Sequence, residues 1–236
     1  MSDLLILAPH PDDAEIHCGG TIAAQVRLGR SVVVVDATRG EMGSRGDADT
    51  RAAEAAAAAS ILGLAGRENL GLPDSAVPSE DVAARLLVID AIRRHAPRSV
   101  LCLSGQARHP DHINWARLVQ GAVKAAAFHR LVTPSGAQPV AGVRLFLFEA
   151  ELALAPTFLV PCSASDWKRK MDAVHCYGSQ LGRRGDDDGP ATSISEPGFL
   201  DWIEARGRAW GHQAGAPYAE AFSAGEPLRL ENLMGI

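Results

Sequence analysis

Two hydrophobic periodicities alternate along the first half of the chain. Leu4–Ala8 (LLILA) and residues 31–37 (SVVVVDA) are unbroken apolar runs, the pattern of strands buried on both faces of a parallel sheet. Between them, residues 14–28 place Ile16, Ile22, Ala23 and Val26 on one helical stripe. The alternation continues with an alanine-rich helix over 49–64, a strand at 67–73 (RENLGLP) and a helix over 80–95 closed by Pro97. A strand at 98–104 (RSVLCLS) and a helix over 113–128 follow. Farther on, 143–150 (VRLFLFEA) and 157–162 (TFLVPC) read as strands, 163–181 and 198–210 as helices, and 182–190 (GRRGDDDGP) as a loop. Strand–helix alternation of this kind predicts an α/β fold, a Rossmann-like, doubly wound and mostly parallel sheet. No repeat or dividing linker interrupts it, so residues 1–236 are expected to form a single domain.

Composition narrows the function classes. The chain is 47% hydrophobic and 22% charged, enough apolar material for a sizeable core. Its net charge of -5 argues against nucleic acid or an anionic membrane as partner. No apolar run approaches the roughly 18 residues of a membrane span, and the start MSDLLILAPHPDD lacks the basic residues and length of a signal peptide. Cys18, Cys102, Cys162 and Cys176 are scattered with no CxxC spacing. That usage favours reduced thiols and a cytoplasmic location over disulfides or a structural zinc knuckle.

The candidate chemistry lies where two of these strands end. HPDD (10–13) follows the first strand and RHPDH (108–112) follows the fourth; open parallel sheets bind ligands beyond the carboxyl ends of their strands. Together the segments offer three histidines and three aspartates. His and Asp suit a borderline metal such as zinc, which in catalytic sites takes three protein ligands and keeps one position open. His10 and Asp13 can face a metal while Asp12 stays beside the water, and His109 and His112 share one side of a helix start. Either segment alone is more often a solvated turn, and Asp12 or Asp13 could simply cap the helix that follows. Two such segments at one sheet edge are harder to dismiss. Gly19 and Gly20 sit in HCGGTIA, which is not a GxGxxG phosphate loop, and no GxSxG nucleophile elbow is present.

PHPDDAEIHCGGTI and RHPDH resemble the paired signatures of the PIG-L/LmbE-like zinc deacetylases. The likeness continues through TRGEMGSRGDADTRAAEA, NLGLPD, YGSQL and YAEAF, and looks most like the bacillithiol-type branch, which deacetylates N-acetylglucosaminyl-malate. It implies hydrolysis of an N-acetyl amide to acetate and a free amine, with one Zn2+ per chain and Fe2+ as the alternative metal. Residue by residue, it implies that His10, Asp13 and His112 are the ligands, Asp12 the general base and His109 the oxyanion stabiliser. Asp111 matches an aspartate that tunes the neighbouring histidine, expected to raise the pKa of His109 and hold its orientation. Arg51 matches an arginine near the substrate and the base. The substrate implied is an amino-sugar conjugate, and the assembly implied is a homo-oligomer.

Around this pattern, Arg39, Arg45 and Arg51 form a positive cluster in an acidic chain. They read either as surface arginines, for Arg39 and Arg45, or together as a seat for an anionic aglycone such as malate. His17 stands where relatives commonly carry glycine, and Phe199 where some carry tyrosine. Amidase action on a thiol conjugate or on another N-acetylated sugar is the near alternative. A two-metal phosphoesterase is the rival from another class, and a non-catalytic nucleotide-binding module is disfavoured.

Overall fold

In the computed structural model, which describes residues 1–181 and 190–227, the apolar runs become the centre of a seven-stranded sheet ordered β3-β2-β1-β4-β5-β7-β6. β1 (Leu4–Ala8), β2 (Val32–Thr38), β3 (Gly66–Leu72), β4 (Ser99–Leu103) and β5 (Arg144–Phe148) run parallel. β7 (Tyr218–Ala224) pairs antiparallel to both β5 and β6 (Phe158–Cys162). Every residue of β1, β2 and β4 is buried, as a strand covered on both faces requires. Helices α1 (Asp13–Arg27), α2 (Ala48–Leu62) and α5 (Ala164–Val174) pack together, as do α3 (Val82–His95) and α4 (Pro110–Ala125). The expected doubly wound sheet in one domain is what forms.

Strand order reverses between β1 and β4, the switch point at which such sheets open a crevice. The two histidine-bearing segments leave these two neighbours, whose register aligns Leu7 with Cys102. Trp115 of α4, fully buried, donates its indole N–H to the Leu7 carbonyl at 3.1 Å. That bond ties the start of α4 to the end of β1.

Several boundaries differ from the sequence reading. α4 begins at Pro110, with His109 as N-cap, because proline needs no N–H at a first helical position. The helix expected over 163–181 divides into α5 and a short α6 (Gly178–Leu181). At the break, the His175 ring turns back onto the Met171 carbonyl and the Tyr177 ring is buried. α7 (Phe199–Ala214) runs past Trp210 until Gly215 takes the left-handed conformation. β7 was not among the expected strands. The loop expected at 182–190 falls, save for Pro190, outside the described residues.

The paired glycines of α1 also find their explanation. α1 kinks at Cys18 (φ -137°, ψ 20°), so its second half needs its own N-terminal partner. Glu220 of β7 supplies it, accepting the Gly20 and Thr21 N–H groups at 3.0 and 2.6 Å. A Cβ on Gly20 would lie 2.9 Å from Cys162 Sγ, and one on Gly19 3.0 Å from Lys170 Cγ. Close packing of β6, β7 and α5 demands the two glycines, not a phosphate.

Candidate metal centre

His10, Asp12 and Asp13 leave β1, His109, Asp111 and His112 follow β4, and the fold brings all six together. His10 Nδ1 and His112 Nε2 lie 3.2 and 3.3 Å from the same carboxylate oxygen, Asp13 Oδ2. The rings of His109, His10 and His112 cluster with centroids 5.0 to 5.3 Å apart. Donor atoms of His10, Asp13 and His112 all fall within 4.8 Å of one another. Ligands at about 2.0–2.2 Å from a tetrahedral zinc are themselves about 3.3 Å apart, so this trio fits the metal. A second donor group, His10, His109 and Asp111, shares His10 with the first.

Carboxylates surround the imidazoles. Asp111 Oδ2 and Asp74 Oδ1 each lie 3.2 Å from His10 Nε2, and Glu151 Oε1 lies 3.1 Å from His112 Nδ1. Burial disfavours charge on both rings, yet the acids outweigh it. His10 is raised well above the usual histidine range by Asp111, Asp13 and Asp74, and His112 is raised to about 9 by Asp13 and Glu151. Against the same opposing burial, hydrogen bonds from His10 and the Met42 N–H hold Asp74 at about 2, and His112 holds Glu151 at about 2. A field that draws protons onto two neighbouring imidazoles is one that a divalent cation satisfies better. Carboxylates behind metal-bound histidines also fix their tautomer and orientation.

Asp74 and Glu151 were absent from the sequence-derived site. Both follow strand ends, β3 and β5, at the edge where ligands bind. Scanning every strand's carboxyl end for acids, rather than the histidine segments alone, is the signal that finds them.

Asp12 stands apart from the ligands. Its φ of 124° is far from the usual range of an L-residue, and it makes no capping bond to α1, so the helix-cap reading fails for it. Such backbone costs about 1–3 kcal/mol and persists only where the surroundings enforce it. Arg51 enforces it, donating Nη2 to Asp12 Oδ2 at 2.9 Å and to the Pro11 carbonyl, and Nη1 to Gln180 Oε1 at 3.2 Å. Burial, with Asp13 nearby, raises the Asp12 pKa to about 7 against the pull of Arg51. Gly40 (φ 68°) lets the chain pass close: a Cβ there would lie 2.6 Å from the Arg51 guanidinium carbon.

Two expectations need correction. The Asp111 carboxylate does not pair with His109: it is taken by His10 and by the Ser75 and Val77 N–H groups at 2.8 and 3.1 Å. Asp111 instead holds His109 through its backbone, whose N–H donates to His109 Nδ1 at 3.2 Å. Burial, then the charges of His10 and His112, keep the His109 pKa below the usual value; the expected rise does not occur. Arg51 is buried against the base, whereas a substrate seat calls for an open guanidinium. Arg45 lies outside the cluster, on the exposed segment after β2, with its Nε 3.4 Å from the Pro190 carbonyl.

His17, left unexplained by the sequence, is buried one turn after Asp13, with Nε2 3.7 Å from Asp13 Oδ1. Burial and the Arg206 charge lower its pKa to about 3. All four cysteines are free thiols. No helix among the described residues is long and apolar enough to cross a membrane.

Comparison with known proteins places this geometry. The 1D-myo-inositol 2-acetamido-2-deoxy-alpha-D-glucopyranoside deacetylase of Rhodococcus erythropolis is 36% identical over 157 residues, 52% of this chain and 53% of that protein. The chain thus matches about half the length of that relative. Among solved structures, the conserved protein TT1542 from Thermus thermophilus is 36% identical and superimposes with a TM-score of 0.86 over 99% of both chains. GalB, the 4-carboxy-2-hydroxymuconate hydratase of Pseudomonas putida, is 25% identical with a TM-score of 0.81, covering 99% of this chain and 100% of its own. The pattern of the PIG-L family, GlcNAc-PI de-N-acetylase, matches residues 5–123. That span runs from β1 into α4 and contains both histidine segments, and the chain belongs to the PIG-L family.

Proposed function

We propose that the chain hydrolyses the N-acetyl group of an N-acetylglucosaminyl conjugate, with one zinc ion held by His10, Asp13 and His112. The observation that carries this reading is Asp12: a buried carboxylate forced into a strained backbone beside three convergent donors, held off them by Arg51. A bound metal polarises the amide carbonyl and brings the pKa of water to about 7. Asp12 accepts the proton of the attacking water and delivers it to the leaving nitrogen. The Asp111 amide can only donate, so His109 Nδ1 must accept and a neutral His109 carries its proton on Nε2. That N–H is the donor for the oxyanion, a role worth about 3–4 kcal/mol; no cationic His109 is needed. Fe2+ suits the same donors.

For the aglycone, malate is the first reading, with Arg39 and Arg45 on the segment after β2 as its support. The name of the Rhodococcus relative favours an inositol glycoside as the second. The test is acetate release from N-acetylglucosaminyl-malate, the inositol glycoside and free N-acetylglucosamine. A further arm carries 4-carboxy-2-hydroxymuconate, because a fold neighbour is named a hydratase of that acid. Asp12→Ala should keep zinc and lose at least about 100-fold in turnover. Full activity in Asp12→Ala, or turnover of the muconate with no acetate from any sugar, sinks the reading.

A further inference from the structure

His17 and Arg206 belong to no role assigned above, yet they form a chain that ends on Asp13. His17 Nδ1 lies 3.3 Å from Arg206 Nη2, and the imidazole stacks on Phe148 at 6.3 Å between centroids. Arg206, on α7, is fixed from three other directions. Its Nη1 donates to the Ala150 carbonyl at 2.8 Å, its Nε lies 3.6 Å from Glu149 Oε2, and its guanidinium lies 4.1 Å from the Trp202 ring centroid. A guanidinium has donors only and does not lose its charge in proteins. His17 Nδ1 must therefore be the acceptor, which puts the proton of the neutral ring on Nε2, the atom that faces Asp13 Oδ1 at 3.7 Å.

The two oxygens of Asp13 are thus divided. Oδ2 receives the His10 backbone N–H at 3.0 Å and faces both ligand imidazoles, while Oδ1 faces the His17 N–H. We infer that His17 and Arg206 are positioning residues that hold Asp13 as a one-oxygen ligand, with Arg206 fixing the tautomer that His17 needs. A carboxylate free to turn can offer a metal both oxygens and fill the position that a catalytic site leaves open. The His17 ring, with Nε2 3.7 Å behind Oδ1, opposes that turn, and this makes α7 part of the metal's support. The inference rests on Asp13 being a metal ligand.

Packing alone is the competing account of His17, and substitution separates the two. His17→Leu keeps bulk without donor or acceptor; His17→Gln keeps both polar functions with less bulk. Arg206→Met removes the guanidinium from a different helix, so the question survives if His17→Leu fails to fold. Zinc affinity is measured by competition with a chromophoric chelator, alongside circular dichroism of the metal-free proteins and with Asp13→Ala as reference. His17→Leu and Arg206→Met should bind zinc about 10–100-fold more weakly, the usual cost of removing such a support, and His17→Gln should recover most of the loss. Wild-type affinity in both His17→Leu and Arg206→Met, or equal losses in His17→Leu and His17→Gln, overturns the inference. Unchanged zinc binding in Asp13→Ala overturns the ligand assignment itself.

Discussion

Glu220→Ala is the substitution whose cost the structure fixes most closely. The Glu220 carboxylate is buried and has three partners: the Gly20 and Thr21 N–H groups and Lys170 Nζ at 2.6 Å. Lys170 is buried too, with its ammonium 4.4 Å from the Trp167 ring centroid. Removing the carboxylate leaves an uncompensated buried cation, at about 3–5 kcal/mol, and two buried N–H groups without acceptors at the kink. A loss of about 5 kcal/mol is expected, a large part of the 5–15 kcal/mol stability of an ordinary domain. Lys170→Met should cost less, about 2 kcal/mol, because Glu220 keeps both backbone donors at a helix N-terminus, where negative charge is favoured. Glu220→Gln with Lys170→Met removes both charges and keeps one acceptor, so it should cost far less than Glu220→Ala. Urea unfolding of the metal-free proteins, followed by tryptophan fluorescence, measures all three. A Glu220→Ala cost under about 1 kcal/mol, or a double variant no better than Glu220→Ala, refutes the reasoning.

Three further outcomes follow from contacts at or beyond the site. Arg51→Met should keep zinc and the fold but lower kcat at least about tenfold, since Asp12 loses its anchor; steady-state kinetics with zinc analysis checks both. Asp74→Asn should weaken zinc binding about tenfold or more, because His10 Nε2 loses one of the two carboxylates that face it, which chelator competition reads. Asp90 carries the pH prediction: burial opposes its ionisation, but Ser135 and Arg94 hold it at about 2. Its folded pKa is below its unfolded one, so its contribution is full above about pH 4 and lost as pH falls towards 2. Urea midpoints of Asp90→Asn should accordingly trail the wild type at pH 6 and approach it near pH 2.

The sheet was legible because its central strands have no polar face to disguise. Val32–Thr38 and Leu4–Ala8 are apolar at nearly every position, and only burial on both sides accommodates that. β7 was not, because YAEAFSA carries a glutamate in its middle and reads as neither alternation nor apolar run. Its Glu220 is buried to serve a helix distant in sequence, and no local pattern encodes that. The role of the paired glycines was hidden for the same reason: their partners, Lys170, Cys162 and Glu220, come from α5, β6 and β7.

At the site, the histidine segments announced the donors because consecutive polar residues at the end of a buried strand need a reason to be there. What they did not announce is the charge that makes the donors useful. Asp74 and Glu151 arrive from the segments after β3 and β5, each an ordinary acid in its own segment, and only the strand order puts them, with Asp111 of α4, against His10 and His112. The consequence reaches beyond orientation. Four buried or half-buried carboxylates, Asp13, Asp74, Asp111 and Glu151, face two ligand imidazoles, an arrangement that is costly unless a cation or protons neutralise it. Metal binding should therefore stabilise this chain more than it would a donor trio in a neutral setting. The shift in unfolding midpoint between metal-free and zinc-loaded protein, which mass action relates to affinity, should shrink when Asp74 or Glu151 is made neutral. An undiminished shift would mean that these acids do no more than pack.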